Sequence, residues 1–262
     1  MRFAPFTSQS RDGRLVVIST DGRRYLEVGD TAPNLLGAIE RWDALMPRLS
    51  ELADRLEQGE GDGFDPANCA APLPRSWQWI DGSAFSTHGE LMQVAFGLDP
   101  IEAEKPLMYQ GLSDRFYGPV DDVPFPGMEH GIDFEGEYGV IVDHVPMGTD
   151  AAEAMKHIKL IVQINDWSLR AIAPVEMKTG FGWVQAKPAC SMAPFAVTPE
   201  ELGDAWQDGR VCLDLEIDWN GKRFGAANGR EMDVGFHDLI AHAAFTRDLV
   251  AGTIIGSGTV SN

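Results

Sequence analysis

Three carboxylates stand at alternate positions in the segment GIDFEGEYGVIVD: Asp133, Glu135 and Glu137. On a strand, side chains two residues apart share a face at a spacing of about 6.6–6.8 Å. Like charges at that spacing, when shielded from water, raise one another's pKa or recruit a cation. Hard oxygen ligands of this kind suit Mg²⁺, Ca²⁺ or Mn²⁺. The pattern therefore predicts a metal site, with a solvated acidic strand face as the alternative interpretation.

Two other segments supply groups that fit the same chemistry. Asp166 ends the apolar run HIKLIVQIND, where an unpaired buried acid would be costly, so it either caps a turn or binds a partner. In WQWIDGSAFSTHGEL, Asp81 stands seven residues before His88, and Glu90 stands two residues after it. A histidine with a nearby acid to orient it and a potential metal ligand beside it is typical of a base that activates water near a metal.

A lysine and a glycine-rich turn complete the candidate residues. Lys187 is the one charged residue of GFGWVQAKPACSMAP, which predicts a buried lysine paired with acids. The C-terminal GSGT lacks the lysine of a phosphate-binding loop. It predicts a tight turn that presents backbone N–H groups and the Thr259 hydroxyl.

Composition limits the classes of partner. The chain has 262 residues, of which 44% are hydrophobic and 23% charged, and a net charge of −19. This charge argues against nucleic acid or an anionic membrane as a partner, whereas an anionic small molecule would need local cations at its pocket. There is no apolar run of membrane length and no leader pattern, so the expected compartment is the cytoplasm. The three cysteines lie far apart and predict buried free thiols.

The secondary-structure elements that must position these residues predict an α+β fold with a mixed or mostly antiparallel sheet. A linker rich in glycine, proline and acid predicts a domain boundary near residue 72, between a small N-terminal domain (1–72) and a catalytic domain (73–262). Strands are expected at 14–19, 24–29, 136–143 and 157–166, and a hairpin within 211–225. Helices are expected through 35–56, interrupted by Pro47, and at 149–158 and 236–249.

From about residue 75 onward, the chain resembles the fumarylacetoacetate hydrolase family. The likeness rests on an ordered set of motifs: D-x6-H at Asp81 and His88, YxG at 109–111, DFExE at 133–137, NDWSxR at 165–170, Lys187 and the closing GSGT. The resemblance implies a mostly β catalytic domain, the family's β-roll, behind a small N-terminal α/β domain. It also implies a homodimer.

The resemblance assigns roles to individual residues. Metal ligands fall on Asp81, Glu135, Glu137 and Asp166, and a divalent cation is implied, Mg²⁺ foremost and otherwise Mn²⁺ or Ca²⁺. The general base falls on His88, Lys187 matches an active-site lysine, and substrate contacts fall on Tyr109 and Thr259. We expect Arg170 to join Lys187 in offsetting the negative charge and in meeting an anionic substrate.

The implied activity is hydrolysis of a carbon–carbon bond in an acylpyruvate or other diketo acid, with water activated by His88 attacking a metal-chelated carbonyl. Two alternatives stay open. One is a decarboxylase, tautomerase or hydratase of 2-oxo or 2-hydroxydienoic acids, which also needs a metal-held enolate. The other is a non-catalytic relative that only binds the metal or a ligand.

The chain departs from the family pattern at several positions. Gly97 stands where well-known hydrolases of the family have a substrate-binding arginine, and Ala171 and Ala173 replace an aspartate and a glutamine. Fumarylacetoacetate itself is therefore not the expected substrate. The family's catalytic domain also continues for several strands beyond the last residue here, so a shortened C-terminus is expected. Glu90 is predicted to replace an acid from that part as the partner of His88.

Overall fold

The computed structural model describes residues 1–97 and 104–261. Its strands are β1 Arg2–Phe6, β2 Arg14–Ile18, β3 Arg24–Glu27, β4 Asp62–Gly63, β5 Trp79–Gly82, β6 Met108–Gly111, β7 Ile132–Asp133, β8 Gly136–Val142, β9 Ile158–Asn165, β10 Ser168–Leu169, β11 Ser191–Met192, β12 Ala196–Val197, β13 Trp206–Gln207, β14 Arg210–Val211, β15 Asp214–Trp219, β16 Lys222–Asn228 and β17 Ile254–Gly256. Its α-helices are α1 Leu35–Ile39, α2 Trp42–Glu57, α3 Ser86–Phe96, α4 Ala151–Ala154, α5 Ala173–Met177 and α6 Phe236–Ala243. Short 3₁₀ helices lie between some of these elements.

One large sheet joins the N-terminal strands to the rest of the chain. Its order within the described residues is β4-β3-β2-β1-β12-β9-β8-β17-β5-β6, and β11 also pairs with β9. The pairs along this path are antiparallel except for β17 and β5, which run parallel. Three two-stranded sheets, β7 with β10, β13 with β14 and β15 with β16, lie outside it.

Both faces of the central strands are buried, because helices cover the sheet on each side. In β8, Ile141 packs in the cluster that contains the apolar side of α2, whereas Val140 and Val142 pack in the cluster that contains α6. Alternate residues of a strand point to opposite faces. The continuous apolar run of β8 is therefore what a strand covered on both sides requires.

The α+β class and the mostly β catalytic part are confirmed. The strands expected at 14–19, 24–29, 136–143 and 157–166 are present within one or two residues of those bounds. The expected hairpin is β15–β16, with Asn220 and Gly221 at its turn. Both have positive φ, at 50° and 74°, which matches the backbone twist that an Asn-Gly turn provides. The domain boundary near residue 72 stays a prediction.

The helices differ from the expectation in their bounds. Pro47 does not interrupt the first helical region; it lies inside α2, and the break falls between Ile39 and Trp42. The solvent-exposed side of α2 accommodates the proline, while leucines on the other side hold the helix against the sheet. The segments 149–158 and 236–249 each begin as α-helix and end in 3₁₀ turns, so both α-helices are shorter than predicted.

No helix in the described ranges combines the length and the apolar character that crossing a bilayer requires.

Candidate metal centre

Three buried carboxylates lie together where three strands of the large sheet begin or end. Asp81 lies near the end of β5, Glu137 near the start of β8, and Asp166 directly after β9. Because β8 runs antiparallel to both β5 and β9, these three positions lie at the same end of the strands. Asp81, Glu137 and Asp166 each offer a ligand oxygen, and these atoms all lie within 4.8 Å of one another. The structure thus brings together three of the four predicted metal ligands.

Glycine makes room for this cluster. Strand β17 lies between β8 and β5, and its Gly256 is opposite Gly139 on one side and Asp81 on the other. A Cβ on Gly256 would stand 2.2 Å from Asp81 Oδ1 and 2.2 Å from the Trp79 ring. Any other residue at this position would displace the carboxylate. The next turn has Gly258 at φ +76°, and its N–H donates to Asp81 Oδ1 at 3.1 Å, as the predicted turn requires.

Glu137 carries the clearest sign that a cation belongs here. Its side chain is fully buried, and neither carboxylate oxygen has a hydrogen-bond partner among the described residues. Burial raises the pKa of Glu137 well above its usual range, and the nearby Asp81 and Asp166 raise it further. Burial and Asp166 likewise raise the pKa of Asp81. A buried carboxylate without a partner is costly, and a divalent cation is the partner that an all-oxygen donor set fits.

Glu135 is placed differently from the sequence expectation. The segment 131–143 is not one strand: β7 ends at Asp133 and β8 starts at Gly136, so the three acids do not share a strand face. Glu135 Oε2 accepts a hydrogen bond from Lys187 Nζ at 2.6 Å, and Oε1 accepts one from Ser168 at 3.0 Å. Burial alone would raise its pKa, but Lys187 and Arg170 lower the pKa of Glu135 to about 2. Glu135 adjoins the triad as a paired anion, and its role as a metal ligand remains a prediction.

Lys187 is the buried, paired lysine that the sequence predicts. Its Nζ donates to Asp166 Oδ2 at 2.6 Å as well as to Glu135. Burial opposes its positive charge, but Asp166 and Glu135 outweigh this effect and raise its pKa above the usual range. The ammonium group also lies over the Tyr109 ring, 5.6 Å from its centre. Lys187 therefore stays protonated and neutralises part of the cluster's charge.

Tyr109 and Cys190 hold Asp166 from two sides. The Tyr109 hydroxyl donates to Asp166 Oδ2 at 2.6 Å, and the Cys190 thiol donates to Oδ1 at 3.1 Å. Burial and the neighbouring Asp166 raise the pKa of both groups, so both remain protonated donors. Tyr109, predicted as a substrate contact, is thus tied to a predicted metal ligand.

Arg170 forms ion pairs with two acids next to the triad. Its guanidinium group lies 2.8 Å from Asp133 Oδ2 and 2.7 Å from Glu135 Oε1. Asp133 is thereby bound to a cationic side chain outside the triad. Arg170 offsets charge as predicted, and its role as a substrate contact remains a prediction.

His88 lies on α3 next to the C-terminal turn. Its Nε2 is 3.4 Å from the Thr259 hydroxyl, so these two predicted site residues are neighbours. Burial lowers the pKa of His88; Glu135 opposes this effect and Arg170 adds to it. Glu90 is not brought to His88. Residues two apart on a helix point to different sides, and Glu90 is exposed to solvent.

Sequence reasoning missed several of the contacts that shape the site. Ser168 and Cys190 each donate to one of its carboxylates, yet each reads as an ordinary small buried residue. Their short distances along the chain from Asp166 and Lys187 are the only signal that could have marked them. Gly256 has no side chain, so its role could be inferred only from the order of the strands in the sheet.

Comparison with known proteins agrees with this fold. Residues 78–262 match the profile described as fumarylacetoacetate (FAA) hydrolase C-terminal, and residues 1–75 match that described as fumarylacetoacetase N-terminal domain 2. The first match covers well over half of the chain. The chain therefore belongs to the fumarylacetoacetate hydrolase family, whose fold serves hydrolases and isomerases.

Among relatives, the 2,4-didehydro-3-deoxy-L-rhamnonate hydrolase of Sphingomonas sp. (strain SKA58) is 30% identical over 164 residues, which cover 61% of this chain and 54% of that protein. The matched region thus spans about half the length of that relative.

Two solved structures share the fold. The maleylpyruvate hydrolase of Sphingobium sp. SYK-6, in complex with manganese(II) ion and pyruvate, superposes with a TM-score of 0.73 at 19% identity, covering 99% of this chain and 88% of that one. The 5-carboxymethyl-2-hydroxymuconate delta-isomerase of Mycobacterium smegmatis superposes with a TM-score of 0.65 at 19% identity, covering 99% and 87%.

Proposed function

We propose that this protein is a metal-dependent hydrolase that cleaves a carbon–carbon bond in acylpyruvate-like 2,4-dioxo acids. The observation that supports it most strongly is the buried triad of Asp81, Glu137 and Asp166, in which neither oxygen of Glu137 has a hydrogen-bond partner within residues 1–97 and 104–261. The family and the manganese-bound hydrolase of the same fold add to this support.

Asp81, Glu137 and Asp166 would hold the cation, with Glu135 as a fourth ligand once it gives up one of its ion pairs. Oxygen donors favour Mg²⁺, Mn²⁺ or Ca²⁺, and we propose Mg²⁺ first, with Mn²⁺ as the close alternative. When bound, such a cation supplies Lewis acidity that polarises a carbonyl and favours enolate formation in the substrate.

His88 is the group suited to move a proton. Because burial lowers the pKa of His88, its imidazole is neutral at physiological pH and can accept a proton from water. Nε2 lies beside the Thr259 hydroxyl, which can orient a water or a substrate oxygen at that nitrogen. Thr259 then acts through hydrogen bonding alone.

The cations of the site prepare it for an acidic substrate. Lys187 and Arg170 place two positive charges beside the carboxylates of a chain whose net charge is −19. They offset the repulsion that a substrate carboxylate would meet at the cluster. Tyr109 remains a neutral hydroxyl that keeps Asp166 in place.

A second candidate is isomerisation, decarboxylation or hydration of a 2-oxo or 2-hydroxydienoic acid at the same site. Two observations favour it: an isomerase shares the fold, and within the described residues no carboxylate hydrogen-bonds to His88. A reaction that needs only enolate formation does not require an acid-assisted base to activate water.

The deciding experiment is a screen of small 2-oxo and 2,4-dioxo acids for absorbance loss, with and without EDTA, followed by product analysis. Release of two carboxylic acids in an EDTA-sensitive reaction is expected. Carbon dioxide release or keto–enol exchange would select the second candidate, and Mg²⁺ binding without any turnover would indicate a non-catalytic relative. Activity that EDTA leaves untouched would rule out the metal mechanism.

Matched variants sharpen this screen. Glu137→Gln keeps the size of the side chain and removes its charge, so it should abolish turnover and Mn²⁺ binding. Glu153→Gln changes an exposed glutamate on α4 that pairs only with Lys156 among the described residues, and it should behave as the wild type. Full activity in Glu137→Gln would contradict the proposal.

A further inference from the structure

A glutamate outside the carboxylate cluster hydrogen-bonds to the backbone of residues 184–186, just before Lys187. Glu176 lies in the short helix α5, and its carboxylate accepts hydrogen bonds from three consecutive backbone N–H groups. Oε1 accepts from Val184 at 3.2 Å and Gln185 at 2.9 Å, and Oε2 accepts from Val184 at 3.2 Å and Ala186 at 3.0 Å. Lys187 is the next residue. Glu176 therefore fixes the backbone from which the site lysine extends.

The 184–186 segment is connected to the carboxylate cluster through Lys187. The carbonyl of Ala186 accepts a hydrogen bond from the Leu169 N–H at 2.8 Å, which ties the segment to β10. One residue later, Lys187 Nζ lies 2.6 Å from both Glu135 and Asp166. A shift of the backbone at Ala186 would move the ammonium group away from one or both acids.

A second connection leaves the other end of the same segment. Trp183 packs edge-on against Tyr109, with ring centres 6.2 Å apart. Tyr109 in turn donates to Asp166 Oδ2 at 2.6 Å. The segment thus supports Asp166 from two directions, through the lysine and through the tyrosine.

Between the helix and the 184–186 segment, the chain makes short-range hydrogen bonds around Thr179, whose hydroxyl donates to the Glu176 carbonyl at 2.8 Å and accepts from the Phe181 N–H at 3.2 Å. Gly180 and Gly182 have φ of +70° and +95°, and the Phe181 side chain is 96% exposed. Glycine at such positions lets the chain turn without strain but does not hold it. Carboxylate hydrogen bonds to backbone N–H groups are charge-assisted and strong, so the contact made by Glu176 is the one suited to hold the turn.

We infer that Glu176 is a positioning residue of the metal centre, which sets Lys187 between Glu135 and Asp166 by fixing the backbone at 184–186. Partial burial raises the pKa of Glu176, but the N–H groups of Gln185, Ala186 and Val184 lower it overall, so the carboxylate remains ionised near neutral pH. The turnover readout rests on the proposed function, whereas the cation-binding readout does not.

A double-mutant cycle tests the inference. Mn²⁺ affinity, measured by electron paramagnetic resonance, and kcat are compared for the wild type, Glu176→Ala, Lys187→Met and the double variant. Glu57→Ala is the matched control, because Glu57 also accepts a backbone N–H, from Thr20, but in the N-terminal part of the chain. Glu176→Gln keeps one carbonyl acceptor and should recover part of the wild-type behaviour.

We expect Glu176→Ala and Lys187→Met to change the Mn²⁺ Kd in the same direction. We expect Glu176→Ala to change this Kd by about tenfold and to lower kcat by about tenfold, which is the usual effect of losing a residue that supports a metal ligand. In the Lys187→Met background the same change should add less than twofold, and Glu57→Ala should change neither quantity. An equal shift in both backgrounds would reduce Glu176 to a general structural role and overturn the inference.

If Lys187→Met does not fold, the single variants decide, since a wild-type Kd and kcat in Glu176→Ala would also overturn it. If no diketo acid is turned over, the proposed function fails while the Mn²⁺ measurements still test Glu176.

Discussion

Glu137 is a buried carboxylate whose cost to stability a bound cation would offset. It is buried among Asp81, Asp166 and Glu135, and both its oxygens lack partners within the described residues. In such surroundings an ionised carboxylate is disfavoured unless a cation compensates it. The metal-free protein therefore holds Glu137 and Asp81 protonated at pH values where the unfolded chain ionises them.

This leads to a pH prediction for the metal-free protein. Below about pH 3.8, the ordinary pKa of an aspartate, Asp81 and Glu137 are both largely protonated whether the chain is folded or not. Above it, the unfolded chain releases protons that the folded chain retains, so stability falls as pH rises, by about 1.4 kcal/mol per pH unit for each proton. Urea unfolding in EDTA between pH 5 and 7 would measure the slope, and Glu137→Gln should reduce it. A slope that Glu137→Gln leaves unchanged would contradict the assignment.

Cys190 gives a second prediction for a single residue. Its thiol donates to Asp166 Oδ1 and is almost fully buried. Cys190→Ala removes the donor and leaves a small cavity, so it should destabilise the protein by about 1–3 kcal/mol and weaken Mn²⁺ binding. Cys190→Ser keeps a hydroxyl donor at the same place and should retain more of the affinity. Denaturant unfolding and Mn²⁺ titration of the two variants provide the comparison, and equal loss of affinity in both would refute a role for the hydrogen bond.

The sequence predicts the chemical groups of the site better than their partners. Asp81, Glu137 and Asp166 stand at strand ends or in polar segments that mark them, and the structure brings them together. Glu90 was expected beside His88 because the two are close in sequence, but the helix turns it to solvent. The placement of Glu135 among Lys187, Arg170 and Ser168 depends on two other segments of the chain, so no local pattern could show it.

At the scale of elements, strand order does as much for the site as side-chain identity. β17 fits between β8 and β5 because Gly256 leaves space beside Asp81. Hydrogen bonds of the ladder hold β17 at a fixed distance from both neighbours. The glycine therefore sets how closely the carboxylates of β5 and β8 approach each other.

Replacing this glycine should disturb the site together with the adjacent core, because the new Cβ would also stand 2.2 Å from the buried Trp79 ring. In Gly256→Ala the new Cβ would stand 2.2 Å from Asp81 Oδ1, so the carboxylate must move. We expect loss of Mn²⁺ binding by tenfold or more, following the general cost of disturbing metal ligands. Gly63→Ala in strand β4, at the far side of the large sheet, is the control, because Gly63, like Gly256, is not at positive φ and a Cβ there would meet nothing within 4 Å. Calorimetric titration with Mn²⁺ tests this, and wild-type affinity in Gly256→Ala would contradict it.

The elements themselves were predictable where the pattern is local. Alternation and apolar runs located β2, β3, β8 and β9, and Asn220-Gly221 located the hairpin, because these signals come from neighbouring residues. The ends of α4 and α6 were missed because each helix continues into a 3₁₀ turn, which the helical pattern of apolar residues does not distinguish from α-helix. The pairing of β1 with β12 joins residues nearly 200 positions apart, and pattern reasoning had no means of finding it.

For the whole molecule, the net charge of −19 governs how ions reach the site. A negative surface concentrates divalent cations and repels anionic substrates, and both effects weaken as salt shortens the Debye length from about 30 Å at 0.01 M to about 8 Å at 0.15 M. Raising KCl across this range should therefore weaken Mn²⁺ binding while lowering the KM for a diketo acid, with kcat nearly unchanged. Titrations and initial rates at the two salt concentrations test this, and a KM that rises with salt would contradict it.

The expected homodimer and cytoplasmic location remain predictions at this scale, and sedimentation of the purified protein would test the first.

The position of β17 also bears on how the protein is made. Strands β5 and β8 leave the ribosome long before residues 254–256, and each has one edge that only β17 covers. Until residues 254–256 emerge, the nascent chain therefore exposes an unpaired edge on β5 and another on β8, a state in which strands tend to associate with other chains. Insertion of β17 closes the gap between β5 and β8 and brings their carboxylates together, so the capacity to bind a cation would arise only after residues 254–256 have been made.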